Sequence, residues 1–311
     1  MSEAASSVET PTPFGNPFRR AIARAEASVV GLTSPRGSAT SGTVWNDEGV
    51  IVTSHRGTLG RRHHEATWTL TGPDQRQREV ESIARDPATD VAIFRTSSEG
   101  LVAIDRTSEL PELGTLALAL ARPGWQLRAS LRILGLVGPG FRTAHGGRVD
   151  AWLESDRALP NGFSGGPLVD VEGRMLGLDS RGLVRGADLA IPNATLERVV
   201  AELLTHGQVR HGWLGVSLVP VVIPTQQREA LGLAQRSAVL VAGLEEGSPA
   251  AAGGVLIGDV ILELGGKPAD DPGSLREALL GKAERELALT VLRGGQRLDL
   301  RVTPSEQPGR A

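Results

Sequence analysis

Ser164 stands in the run "PNGFSGGPLVD", with Gly162, Gly165 and Gly166 around one hydroxyl and an apolar stretch behind it. A side chain that must offer both its Oγ and its backbone N–H to a substrate needs neighbours without Cβ, because the chain has to turn sharply and approach closely. A plain glycine turn with a bystander serine has the same look, so the partners decide. Serine is a weak nucleophile at neutral pH; it needs an imidazole to take its proton and a carboxylate to fix the tautomer of that imidazole. Candidates for both lie upstream. His55 follows the apolar run "VIVTS", and Asp90 precedes the apolar run "VAIF". His55, Asp90 and Ser164, in that chain order, would perform acyl transfer.

Composition and spacing narrow the alternatives. The 311 residues include no cysteine, which excludes disulfides, thiolate metal sites and cysteine nucleophiles. Thirty-three basic and 36 acidic residues nearly balance, aromatics make up 3% and tyrosine is absent. Such a chain offers neither a phosphate-binding surface nor a base-stacking platform, so no nucleic-acid partner is expected. His63 and His64 are adjacent, so on a strand they face opposite ways, and no further ligands stand at metal spacing. No metal and no cofactor are expected. His145 and His211 sit in glycine-flanked loops without a pairing signal. Asp150, Glu154 and Asp156 alternate with apolar residues in "GRVDAWLESDR", the pattern of a half-buried strand and not of a paired acid and base. The run "GLVGPGFRTAHGG" lacks the following helix that a phosphate loop requires, and is expected to be a flexible loop beside the site. Apolar runs stop well short of the ~18 residues of a membrane helix. The first residues lack the basic-then-apolar pattern of a secretory signal. As it stands the sequence is expected in the cytoplasm, or in the periplasm if the N-terminus is incomplete.

The elements that must position these residues are mostly short strands. Residues 1–17, rich in Ser, Thr, Pro and Glu, are expected to be a disordered lead-in. "FRRAIARAEASVVGL" reads as a helix running into a strand, and "SGTVW-NDEG-VIVTS" and "GPLVD-VEG-RMLGLDS" read as hairpins with glycine where the turn needs positive φ. "DVAIFRT", "RVDAWLES" and "ADLAIP" add strands, and the whole suggests an all-β sandwich or barrel pair. In "NATLERVVAELLTHG" apolar residues recur at helical spacing, Asn193 can cap the start and Gly207 can stop the helix. A second unit of about ninety residues follows, with strands around two helices that start at Ser248-Pro249 and at a Ser274/Glu277 capping box.

Four segments carry a family resemblance: "SGTVWNDEGVIVTS", "DPATDVAIF", "ESDRALPNGFSGGPLVD" and "GADLAIP". With "GWLGV" and "EGSPAAAGGVLIGDVILELGGKPADDPGSLREAL" beyond them, the chain resembles the HtrA family of trypsin-like serine proteases with a C-terminal PDZ domain. The resemblance implies a mainly β protein, a chymotrypsin-like double β-barrel over residues 18–208 followed by an α+β PDZ domain over 209–305 and a tail over 306–311. It implies Ser164 as nucleophile, His55 as general base and then acid, and Asp90 as the orienting carboxylate. The N–H groups of Gly162 and Ser164 would form the oxyanion hole. Leu159, with Leu178, Asp179 and Ser180, would line the S1 pocket, and an apolar Leu159 favours small or medium apolar side chains there. Trp213, Leu214, Gly215 and Val216 would form the carboxylate-binding loop of the PDZ domain, with Leu275 and Leu279 contributing to the adjoining pocket. Unfolded polypeptides or protein C-termini are the implied partners, in a homo-trimer formed through N-terminal aromatics such as Phe14 and Phe18.

The histidine segment departs from the family pattern. The family has Thr, two residues, then His; here Thr53 is followed by one residue and His55, and an ungapped alignment puts Arg56 at the base position. Guanidinium stays protonated in proteins and cannot serve as a base. Two expectations therefore stand: a serine endopeptidase in which a one-residue deletion keeps His55 in place, or an inactive pseudoprotease acting as a peptide-binding scaffold. Phe163 before the serine, and Pro160-Asn161-Gly162 in place of Asn-Pro-Gly, are smaller departures.

Overall fold

The structure, a computed structural model, describes residues 15–35, 37–58, 68–209, 212–279 and 281–306. These divide into two compact units that meet in sequence between Gln208 and Val209.

The first unit opens with helix α1 (Gly15–Ala25), so residues 15–17 are helical and not part of a disordered lead-in. Strands β1 (Val29–Thr33), β2 (Ala39–Val44), β3 (Val50–Ser54), β4 (Trp68–Thr71), β5 (Gln77–Asp86) and β6 (Val91–Arg95) close a barrel in the order β1-β2-β3-β6-β5-β4. Strands β7 (Leu116–Ala121), β8 (Arg128–Arg142), β9 (Arg148–Ser155), β10 (Pro167–Asp170), β11 (Met175–Val184) and β12 (Ala187–Pro192) close a second, in the order β10-β11-β12-β9-β8-β7. All pairs are antiparallel, and Gly49 and Gly173, at φ +78° and +84°, supply the positive φ that the β2–β3 and β10–β11 turns need. The first barrel is filled by large side chains, among them Trp68 and Phe94 packed edge to face at 5.6 Å. The second is filled largely by Ala117, Ala119, Ala121, Ala151 and Ala190 beside Leu134, Leu153, Leu159 and Phe163.

Two local expectations are corrected here. The glycine-rich run Gly135 to Gly147 is a loop only at its end: Gly135 to Arg142 belong to the fifteen-residue β8, paired with β9 through Phe141↔Val149, and residues 143–147 form the turn to β9. Its glycines let the strands approach where a side chain would collide; a methyl at Gly140 would fall 2.8 Å from Val149 O. Helix α2 (Asn193–His206) has Pro192 at its N-cap, and Asn193 instead donates from Nδ2 to the carbonyls of Thr107 and Met175. Gly207 closes it in the left-handed region at φ +72°.

The second unit contains β13 (Gly212–Trp213), β14 (Val216–Val222), α3 (Thr225–Leu231), β15 (Ser237–Leu244), α4 (Pro249–Ala252), β16 (Val260–Leu264), β17 (Lys267–Pro268), α5 (Pro272–Ala278), β18 (Leu287–Arg293), β19 (Gln296–Val302) and β20 (Ser305–Glu306). Its main sheet runs β14-β15-β16-β18-β19, so β14 lies at an edge. Ser248 caps α4 by accepting from Ala251 N, whereas the capping box of α5 is formed by Asp271 and Ser274 and not by Ser274 and Glu277.

Two glycines separate backbone strain from steric exclusion. Gly146 and Gly165 share φ near +85°, but a methyl at Gly146 meets nothing within 4 Å, while one at Gly165 would fall 2.2 Å from both Ser41 O and Thr53 Oγ1. Gly146→Ala is expected to cost about 1–2 kcal/mol from strain alone. Gly165→Ala should cost clearly more in urea unfolding, since backbone must move as well.

Candidate active site

The site is built where the two barrels meet. The loop that carries Ser164, the expected nucleophile, between β9 and β10 is gripped by β2: Thr40 Oγ1 and Ser41 N donate to Ser164 O, Ser41 Oγ donates to Gly162 O at 2.6 Å, and Thr43 Oγ1 donates to Gly165 O. Gly162 holds φ +84°, and a methyl there would fall 2.4 Å from Pro123 Cβ. Phe163 turns into the second barrel's core, so its side chain anchors the loop. Its backbone N–H donates to Pro160 O at 3.3 Å. Ser164 is half-buried, and its Oγ accepts from Arg181 N at 3.2 Å.

Asp90 occupies the turn before β6 at φ +59°, a left-handed conformation that aspartate tolerates better than most side chains. Its buried carboxylate accepts three hydrogen bonds. Ser54 Oγ and Ser180 Oγ donate to Oδ2 at 2.7 and 2.5 Å, and Arg56 N donates to Oδ1 at 2.7 Å. His55, 7% exposed, donates its backbone N–H to Asp90 O at 2.9 Å, and its own carbonyl accepts from Thr58 Oγ1. The single helical turn Arg56–Thr58 follows. The Arg56 side chain lies flat on the strand that holds Ser164: a methyl at Gly182 would fall 2.1 Å from Arg56 Cδ. Its Nη2 is 3.4 Å from His145 Nε2.

Among the residues expected to line S1, Leu159 packs in the second barrel with Phe163, and Leu178, Asp179 and Ser180 are buried on β11. Asp179 is tied to the nucleophile loop by its backbone, Gly165 N donating to its carbonyl and its own N–H donating to Gly166 O. The Ser180 hydroxyl donates to Asp90. Burial pushes the Asp179 carboxyl up to about 8, against the opposing pull of Arg132 and with a small push from Asp188.

Sequence reasoning missed Ser54, Arg132, His145 and Arg181. His145 is brought in because the β8–β9 turn is anchored beside Asp90, with Thr143 Oγ1 donating to Ala88 O at 2.7 Å. No spacing signal connects residues so far apart. His63, His64, His211 and Phe14 lie outside the described residues, and Phe18 is half-buried on α1. Among the described residues no group of three His, Asp or Glu side chains is arranged to hold a metal, and no helix is long and apolar enough to cross a membrane.

In the second unit Trp213 pairs with Ser305, and Gly215 takes φ +72° with no room for a side chain, since a methyl there would fall 2.3 Å from Ser248 Cβ. Leu214, Leu275 and Leu279 are buried in the core, and Val216, at the start of edge strand β14, packs against it. Helix α5 lies against β14.

Residues 40–178 match the family described as trypsin-like peptidase domain, and residues 212–303 match the PDZ domain. A probable periplasmic serine endoprotease, DegP-like, from Ectopseudomonas mendocina (strain ymp) is 30% identical over 307 residues, covering 96% of this chain and 63% of the relative. One of the same description from Chlamydia trachomatis serovar D is 27% identical over 277 residues, covering 86% of this chain and 54% of the relative. The chain thus spans little more than half the length of these curated relatives. The solved structure of the HtrA-type protease AlgW with tripeptide superimposes with a TM-score of 0.75 at 28% identity, covering 94% of this chain and 98% of that one. The chain belongs to the HtrA family of trypsin-like serine proteases that carry a PDZ domain.

The raised Asp179 gives a pH prediction. Its folded value, about 8, lies above the ordinary aspartate value of 3.8, so between the two the native state holds a proton that the unfolded state has released. Its contribution to stability is complete below about pH 4 and is lost as pH rises toward 8. Asp179→Asn should match the parent in thermal unfolding at pH 4 and exceed it by several degrees at pH 8.

Proposed function

We propose that the chain is a serine endopeptidase acting on unfolded or tagged polypeptides, in the manner of protein quality control. Ser164 is the nucleophile, His55 the base, Asp90 the orienting carboxylate, and the N–H groups of Gly162 and Ser164 are the oxyanion donors. The observation that carries this reading is that adjacent residues of β11 serve both groups: Ser180 Oγ holds Asp90, and Arg181 N holds Ser164 Oγ. The relatives named serine endoproteases support it. In the reaction Ser164 Oγ bonds to the scissile carbonyl carbon as its proton passes to the imidazole. The amine then leaves with that proton, and water resolves the acyl ester by the reverse route. In the arrangement described, Ser54 Oγ occupies the Oδ2 edge that an imidazole would need. Cutting in this reading requires the His55 imidazole to reach the Asp90 carboxylate beside Ser54 Oγ.

A second reading follows from Arg56, whose N–H sits on Asp90 Oδ1 and whose side chain lies along Gly182. With a permanent cation at the base position the barrel would bind extended chains without cutting them, and the PDZ unit would do the work. In both readings a chain end joins β14 as an added strand, its carboxylate held by the loop of Trp213, Leu214, Gly215 and Val216. The relatives are named periplasmic, and nothing supports the cytoplasmic expectation; we place this chain outside the cytoplasm as well. Assembly as a homo-trimer through N-terminal aromatics belongs to the same proposal.

Fluorophosphonate labelling read by intact mass separates the readings. For the endopeptidase, the folded protein labels, at least when a PDZ-binding peptide is present, and both Ser164→Ala and His55→Ala abolish labelling. For the scaffold, the parent stays unlabelled under all conditions and Arg56→His gains labelling. Independently, peptides with a free C-terminal carboxylate should bind at least ten-fold more tightly than their amides; equal binding would contradict the assigned PDZ role.

A further inference from the structure

Strand β8 runs against the usual alternation. Leu131 and Ile133 face outward and are 45% and 43% exposed, while Arg132 between them points into the second barrel and is 1% exposed. Burying a guanidinium costs several kcal/mol unless its donors are matched. Only part of this one is matched: Nη1 donates to the carbonyls of Arg157 and Ala158, at the start of the nucleophile loop, at 2.9 and 3.1 Å. Nε and Nη2 are buried without a hydrogen-bond partner, and so is Oδ2 of Asp179, itself 1% exposed. Buried groups left in this way call for an explanation, and a missing ligand is one.

Small side chains flank the pair. The cross-strand partner of Arg132 is Ala117, that of Asp179 is Ala190, and alanines make up much of this core. Leu159 closes the same cluster, its N–H held by Asp188 Oδ2 at 2.7 Å. Because Asp179 is bonded through its backbone to Gly165 and Gly166, the two orphaned groups lie behind the nucleophile loop, where the side chain preceding a cut would be held. The Nε–Nη2 edge of a guanidinium is a two-donor fork that fits a carboxylate bidentately.

We propose that Arg132 and Asp179 make the pocket behind Leu159 a subsite for an acidic side chain, so that the barrel docks Glu or Asp, and not an apolar residue, beside Ser164. The subsite rests on the barrel's binding an extended polypeptide, which both readings above share. Arg132 supplies the fork on the carboxylate, and Asp179, protonated at neutral pH, donates its own O–H to it. The other charges around the pair are Asp188 on β12 and Asp156 and Arg157 after β9. Asp188 is already engaged by Leu159 N and stands 3.7 Å from Arg181 Nε, and Asp156 accepts from Ile133 N and Arg157 Nε. Above about pH 8 Asp179 ionises, neutralises the fork and repels the ligand.

The test is calorimetric binding to the full chain carrying Ser164→Ala, which removes cleavage, with acetylated peptide amides, which remove the terminal carboxylate that the PDZ loop would grip. The peptides differ only in Glu, Gln or Leu at one position. At pH 6.5 Glu should bind at least ten-fold more tightly than Gln or Leu, and the advantage should shrink at pH 9. Arg132→Leu should abolish it; since that change also frees two loop carbonyls, its fold is checked by circular dichroism. Asp179→Asn, which needs no new packing, should keep the preference and remove its pH dependence. Leu binding as well as Glu, or a preference unchanged in folded Arg132→Leu, overturns the subsite alone. Failure of all three peptides to bind contradicts the barrel's peptide binding itself, and the subsite falls with it.

Discussion

The buried carboxylate of Asp90 is the constraint around which the site is organised. It stands between the barrels and collects donors from both: Ser54 and Arg56 from the turn after β3, Ser180 from β11. A carboxylate removed from water has to be matched by donors, and hydrogen bonds to a charged acceptor are the strong kind. The turn that follows β3 is therefore fixed by which of its groups face Asp90. With Ser54 Oγ and Arg56 N in contact, the Arg56 side chain is directed across Gly182, onto the strand segment that also holds Ser164.

The same strand links this network to the interior of the second barrel. On β11 three consecutive residues do separate things: Asp179 faces the barrel interior beside the Arg132 side, Ser180 holds Asp90, and Arg181 holds Ser164. An extended strand sends alternate side chains to opposite faces, and here both faces and the backbone are in use. The groups that meet Asp90, Ser164 and the interior of the second barrel are thus joined over one peptide's length.

Much of this architecture was legible in the sequence, and for identifiable reasons. The hairpins at Gly49 and Gly173 announced themselves because a two-strand turn needs positive φ and glycine supplies it. The stop at Gly207 and the cap at Ser248 followed from the same kind of local rule. Local rules failed where a long-range partner took over a side chain. Asn193 looks like a cap but spends its amide on two carbonyls outside its helix. The glycines of β8 look like a loop because the reason for them, close approach to β9, lies on another strand. Arg132 was invisible because "LRIL" suggests Leu and Ile inside, and the barrel takes the arginine instead. The catalytic register was the least legible of all, since one residue of offset after Thr53 changes which side chain meets Asp90 while leaving every motif intact.

A crystal structure of the chain, at a resolution that separates Ser54, His55 and Arg56, would show which groups match the Asp90 carboxylate. We predict an Asp90 carboxylate flanked by Ser54 Oγ, Ser180 Oγ and Arg56 N, with the Arg56 side chain flat on Gly182. An imidazole of His55 bridging Asp90 and Ser164, with Ser54 turned away, would contradict it.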